Sequence, residues 1–229
     1  MLGTTVNAIA IVIGSLAGLA VKGGLSQRYQ RILMQAVGLS VALVGIKSAM
    51  SSDSLLLIIG CMVVGGLVGE GLQIERRLEW LGRFLEMRFG NTKGTLAKGF
   101  IAATLLFCVG SMAIVGSLES GISGNHETLF AKSILDGVTS LVLSSTLGVG
   151  VLFSSLSVFL YQGLITVMAT LISPLLSDAV VSHISAVGGL LILGIGITLL
   201  EIKTIKVGNL LPAVFMPLVY ALVMSVMIR

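Results

Sequence analysis

What most constrains this chain is a series of apolar stretches, each close to twenty residues long, that recur from one end to the other. A helix rising 1.5 Å per residue needs about 20 residues to cross ~30 Å of hydrocarbon. On that ruler spans fall near 2–21, 32–50, 54–72, 97–117, 129–149, 151–172, 183–201 and 209–228. The fifth and sixth form one apolar block that has to turn near Gly148–Gly150. Only 10% of the residues are charged, against about 25% in soluble domains, so a water-exposed surface cannot be built from them. The expected fold is therefore all-α: a polytopic transmembrane helix bundle of about eight spans, one transmembrane domain over residues 1–229. No alternating strand pattern appears, which sets an outer-membrane barrel aside.

The same patterning excludes other classes. Cys61 and Cys108 lie inside apolar runs and read as buried free thiols rather than a disulfide framework. The net charge of +4 does not point to nucleic acid, because the basic residues cluster in loops beside spans. Residues 2–21 lack a basic leader, and Lys22, Arg28 and Arg31 follow them, so this segment reads as an uncleaved span. Of the 14 Lys and Arg residues, all but Lys47, Lys132 and Arg229 fall in the first, third and seventh loops. Positive residues stay on the cytoplasmic side, which puts both termini outside. Within the third loop, QIERRLEWLGRFLEMRFG (73–90) repeats Ile74, Leu78, Leu81, Leu85 and Phe89 at helical spacing. It reads as an amphipathic helix on the cytoplasmic surface, assigned to 73–93, with partner docking as the alternative role.

An offset of 150 residues carries the AVG of 36–38 onto the AVG of 186–188, and spans one to three onto six to eight. Five crossings separate the partners, an odd number, so these would form an inverted three-helix repeat, an arrangement that places transporter sites between the repeats.

Ionisable groups in hydrocarbon cost ~2.5–3.5 kcal/mol on insertion scales, so each needs a reason. Asp136 lies seven residues past Leu129, about 10 Å along a helix. Ser133, Asp136, Gly137, Ser140 and Ser144 share one face, with Leu135, Val138 and Val142 opposite. Such a stripe needs protein or water beside it rather than lipid. Lys132, one turn earlier, is placed to neutralise Asp136; a structural ion pair and a cation-carrying carboxylate are both open readings. In FCVGSMAIVGSLESGISGN (107–125), Thr104, Cys108 and Ser111 share a face to which Glu119 returns, and Gly110 and Gly116 permit a break or a close approach. A break at membrane depth is tolerated only against protein or a wet cavity, so this stretch reads as the cap of an outward vestibule or as tight packing before a loop. Glu70 ends span three beside Arg76 and Arg77, where snorkelling to the interface would also explain it. Asn209, Pro212 and Pro217 interrupt span eight and predict a kink. Gln162 makes span six polar and needs partners.

His126 and His183 stand far apart without HExxH, paired CxxC or an acidic cluster, so no metal is expected. No nucleophile–base pattern or phosphate-cradling loop occurs, so neither an enzyme nor a cofactor is expected.

LVGEGLQIER, LFCVGSMAIVGSLESGISGN, AKSILDG, AVGGLLILGIG and VGNLLPA resemble, in the same order over essentially the whole chain, the bacterial YqgA/YdfK-like integral membrane proteins. The resemblance implies a bacterial inner-membrane protein and places Glu70, Glu119, Lys132, Asp136 and Asn209 in the family's motifs; it implies no activity.

The residues themselves point to a small permease, a secondary transporter or channel-like protein for a small solute or ion, with cation coupling. Asp136, Glu119, Ser133, Ser140, Ser144, Lys132, Ser111, Asn209, Glu70 and Gln162 are its candidate pathway residues. Its partners would be the lipid bilayer, that solute or ion, and a second copy in a homo-oligomer. The alternative is a non-transporting partner or sensor subunit acting through its cytoplasmic helix. Cysteines introduced at Gly23 and Asn125 are expected to react with a membrane-impermeant maleimide from opposite sides; labelling from one side would break the eight-span layout.

Overall fold

The computed structural model describes residues 1–22, 27–77, 80, 96–108, 111–172 and 176–227. Among them no strand occurs, and the principal helices are α1 (Leu2–Lys22), α2 (Gln27–Ala49), α3 (Leu55–Leu72), α4 (Leu96–Cys108), α5 (Ser111–Ile122), α6 (Glu127–Leu147), α7 (Gly150–Val167), α8 (Asp178–Leu199) and α9 (Met216–Met227). The all-helical bundle is the one the apolar patterning predicts.

Five stretches are long and apolar enough to cross a bilayer: Leu2–Val21, Leu55–Leu72, Gly150–Val167, Asp178–Leu199 and Val207–Met224. A sixth arises if Leu96–Cys108 and Met112–Ile122, bent by 58°, count as one. The difference from eight lies in two helices. The apolar part of α2 is the shorter stretch Gln35–Ala49. α6 has 21 residues, but Lys132, Asp136 and the serines dilute its apolar character. Those groups are buried while Leu135, Val138 and Val142 on the opposite face are exposed, so α6 turns its polar stripe to protein.

Glycine sets how closely the helices meet. α1 lies parallel to α6, and a Cβ on Gly14 would collide with the Gly137 carbonyl, one on Gly18 with that of Leu141. α2 lies antiparallel to α8: Gly38 faces Leu200, Gly196 faces Ala42, and Gly45 meets Gly189 and Leu193. Gly38 and Gly45 of α2 and Gly189 and Gly196 of α8 thus line the two sides of one interface. Backbones this close gain van der Waals contact without side chains to hold them apart, which is how helices associate where water supplies no hydrophobic drive.

Local chemistry fixes the ends. Gly148, at φ 82°, makes the turn between α6 and α7 where the sequence requires one. The Ser177 hydroxyl accepts from the Val180 N–H at the start of α8. Before α9 the chain makes one α-turn, Val207–Leu210, then a 3₁₀ segment, Leu211–Phe215. The Leu211 N–H bonds Gly208 O and the Met216 N–H bonds Ala213 O, so tighter i→i+3 bonds serve where Pro212 and Pro217 offer no donor. Of the 73–93 amphipathic segment, 73–77 and an exposed Trp80 are described, and the rest lies outside the described residues. Gln73, left-handed at φ 52°, closes α3, and 74–77 turn helical again.

Leucine at Gly45 or Gly189 is expected to destabilise the bundle by about 1–3 kcal/mol or more through overpacking. Leucine at Gly60, beside which a Cβ meets nothing within 4 Å, is expected to be tolerated. Thermal unfolding of the variants in detergent checks both.

Candidate functional site: a buried ion pair beside a cavity

The close approach of α1 to α6 brings three polar side chains together in the apolar bundle. Asp136 is 5% exposed, Lys132 7% and Asn7 0%. The Lys132 ammonium straddles the carboxylate, with Nζ 2.9 Å from Oδ1 and 2.8 Å from Oδ2. Asn7 Nδ2 donates to Asp136 Oδ2 at 3.0 Å and to Gln162 Oε1 at 3.2 Å, which ties α1, α6 and α7 into one network. One turn away the Thr4 and Thr166 hydroxyls meet at 3.4 Å. Asn7 Oδ1 and Gln162 Nε2 stay buried without a hydrogen-bond partner. Buried polar atoms are nearly always paired, so these two are exceptions to that rule.

Asp136 and Lys132 are not sealed. Both line a cavity of about 730 Å³ between α2 and α6. Phe107 and Met112, on either side of the α4–α5 break, line it too, as do Ser40, Lys47, Thr139 and Ser185. Val37, Val41, Val44, Leu135 and Leu143 make much of its wall apolar. Ser185 Oγ is another buried hydroxyl without a partner. Pockets of roughly 300–1,000 Å³ with few polar groups on apolar walls are typical of small-molecule sites.

The candidates from the sequence separate into groups. Asp136, Lys132 and Gln162 meet at the network. On the same face of α6, Ser133 Oγ bonds its own backbone at Leu129 O, Ser140 Oγ reaches Ile11 O at 3.2 Å, and Ser144 Oγ is buried without a partner. Glu119 Oε2, near the end of α5, accepts from Thr128 Oγ1 of α6 at 2.7 Å, two turns before Asp136, and beside it Ser120 Oγ and His126 Nδ1 lie 2.9 Å apart. Ser111 begins α5, just past the break. Glu70 and Asn209 do not join this site. They meet at the C-terminal end of α3, where Asn209 Nδ2 donates to Glu70 Oε2 at 2.6 Å and Asn209 Oδ1 accepts from the Glu75 N–H at 2.7 Å. Glu75 Oε2 accepts from the Gly208 N–H at 2.6 Å. Glu70 is more than a snorkelling acid, since it holds the interrupted last span.

Asn7 and Ser185 are not among the sequence candidates. The signal for Asn7 was present: Thr4, Asn7, Ile11, Gly14 and Gly18 fall at three- and four-residue spacing, the stripe of a helix that packs on protein. Ser185 carries no such signal, because a serine in an apolar helix commonly bonds its own backbone. Among the described residues no group of three or more His, Cys, Asp or Glu is arranged to hold a metal ion.

A family model described as "Protein of unknown function (DUF554)" matches residues 2–222. The chain is 36% identical over 222 residues to "Uncharacterized membrane protein YdfK" of Bacillus subtilis (strain 168), covering 95% of this chain and 94% of that protein. It is 28% identical over 221 residues to "Uncharacterized protein YqgA" of Escherichia coli (strain K12), covering 94% of each. No solved structure matches.

Removing one partner of a buried ion pair leaves an uncompensated charge and costs about 3–5 kcal/mol. Lys132→Met alone is therefore expected to lower thermal stability more than Lys132→Met combined with Asp136→Leu. A double-mutant loss equal to the sum of the two single losses would show that the two groups are not coupled.

Proposed function

The chain belongs to the DUF554 family, proteins of unknown function, and we propose that it is a small permease whose solute or ion passes through the cavity beside Asp136. The observation that carries this reading is one carboxylate, deep among apolar helices, that is both ion-paired and in contact with a cavity. A pair kept only for architecture gains nothing from a crevice beside it. A carrier needs one, because its charged group has to exchange partners. In this mechanism Asp136 releases the Lys132 ammonium to accept another cationic group, either a coupling cation or part of the solute. Asn7, itself bonded to Gln162, holds the carboxylate in place meanwhile. Ser133, Ser140 and Ser144 keep the α6 face polar, Glu119 and Ser111 would serve the outer end of the path, and Glu70 and Asn209 steady the last span.

The layout we propose has eight crossings, α2 and α6 included, with both termini outside in the bacterial inner membrane. It also contains an inverted repeat of α1–α3 against α7–α9. Contacts between antiparallel elements support that repeat: Thr4 with Thr166, Gly45 with Gly189, and Gly65 with Ala213 of the 3₁₀ segment that leads into α9. Because a bundle this small encloses little space, we propose a homo-oligomer as the working unit.

A second reading, a partner or sensor subunit acting through 73–93, draws on the bonds from Glu75 to Gly208 and Asn209, which anchor the start of that segment to the last span. Under it, replacing Arg76, Arg77 and Arg83 together would abolish function while Asp136→Asn stayed nearly silent.

Solid-supported-membrane currents and uptake into proteoliposomes, over a panel of ions, amino acids and polyamines, separate the two. Flux is expected for at least one solute, with a loss of about tenfold or more in Asp136→Asn, the scale set by one lost charge-assisted hydrogen bond. A panel without any Asp136-dependent flux would sink the permease.

A further inference from the structure

We infer that the cavity beside Lys132 and Asp136 takes an apolar zwitterion of amino-acid size, a solute carrying one ammonium and one carboxylate on a hydrocarbon body. The inference rests on the permease reading and names its substrate class. It begins from charge. Lys132 and Asp136 neutralise each other at bonding distance, so the buried part of the site has no net charge. The other ionisable group on the wall is Lys47, an exposed lysine in the last turn of α2. A bare cation entering here would leave Lys132 without its partner and would add a third positive charge near Lys47. A bare anion would leave Asp136 unpaired instead. Either way one charge ends up uncompensated among apolar helices, the arrangement a low-dielectric interior penalises most.

A zwitterion avoids that penalty. Its ammonium takes the carboxylate of Asp136 and its carboxylate takes the ammonium of Lys132. One ion pair opens, two form, and the net charge stays at zero throughout. The neighbouring groups suit this exchange. Ser185 Oγ lines the cavity, is buried, and has no hydrogen-bond partner, leaving a hydroxyl to donate to an entering carboxylate. Asn7 Nδ2 already bonds Asp136 Oδ2 and so fixes the acid while Lys132 swings away. The remaining wall accommodates hydrocarbon, chiefly Val37, Val41, Val44, Phe107 and Leu143.

The test uses three probes on one carbon skeleton. Purified full-length protein is assayed for binding of radiolabelled L-leucine by scintillation proximity. It is then competed with 3-methylbutylamine, which lacks the carboxylate, and with 4-methylpentanoate, which lacks the amine. Leucine is expected to bind wild type, with each single-charge analogue weaker by about tenfold or more. Asp136→Asn is expected to shift preference toward 4-methylpentanoate, and Lys132→Met toward 3-methylbutylamine. A merely structural ion pair would not reverse selectivity in opposite directions. If the charge variants fail to fold, the wild-type competition still decides. Overturning results are an amine that binds wild type as well as leucine does, or monodisperse wild type that retains none of leucine, valine and phenylalanine. Asp136-dependent flux of cadaverine without leucine binding would refute the zwitterion and leave the permease standing. Leucine binding without flux in proteoliposomes would uphold the site and refute transport.

Discussion

The arrangement depends on one buried ion pair and on the close helix contact that shelters it. Lys132 and Asp136 stand one turn apart on α6, so the helix itself brings them into range. α1 helps to bury them, lying against α6 through Gly14 and Gly18 with nothing larger than serine between the backbones. That contact delivers Asn7 to the carboxylate, and Asn7 in turn reaches Gln162 on α7. Three helices are thereby held in register by one acid. A larger residue at the α1 glycines would part the backbones and leave a charge facing hydrocarbon.

The loosened helix ahead of Glu119 belongs to the same design. α4 and α5 diverge by 58° where Phe107 and Met112 border the cavity. Broken helices are tolerated at membrane depth where backbone groups freed from the ladder meet protein or a polar space. The kinked last span, by contrast, is closed by neighbours: Glu70 and Glu75 bind Asn209 and Gly208, and Gly65 and Gly69 admit the chain closely. One interruption is flanked by residues that border a cavity and the other is locked, although both look alike as disrupted apolar runs in the sequence.

The apolar runs alone settled that the chain is a helix bundle built for a bilayer, because few other folds bury so much hydrocarbon with 10% charged residues. They also placed the Gly148 turn, the proline interruption and the buried face of α6, since helical periodicity and backbone chemistry are local properties. Tertiary structure alone decided which helices meet. It joined the glycines of α2 and α8 in one interface, parted Glu70 and Asn209 from Asp136, and brought in Asn7 and Ser185 from distant helices. The reason is physical: small residues allow close approach along any glycine-lined face, so the sequence marks the faces while only packing of the whole bundle pairs them.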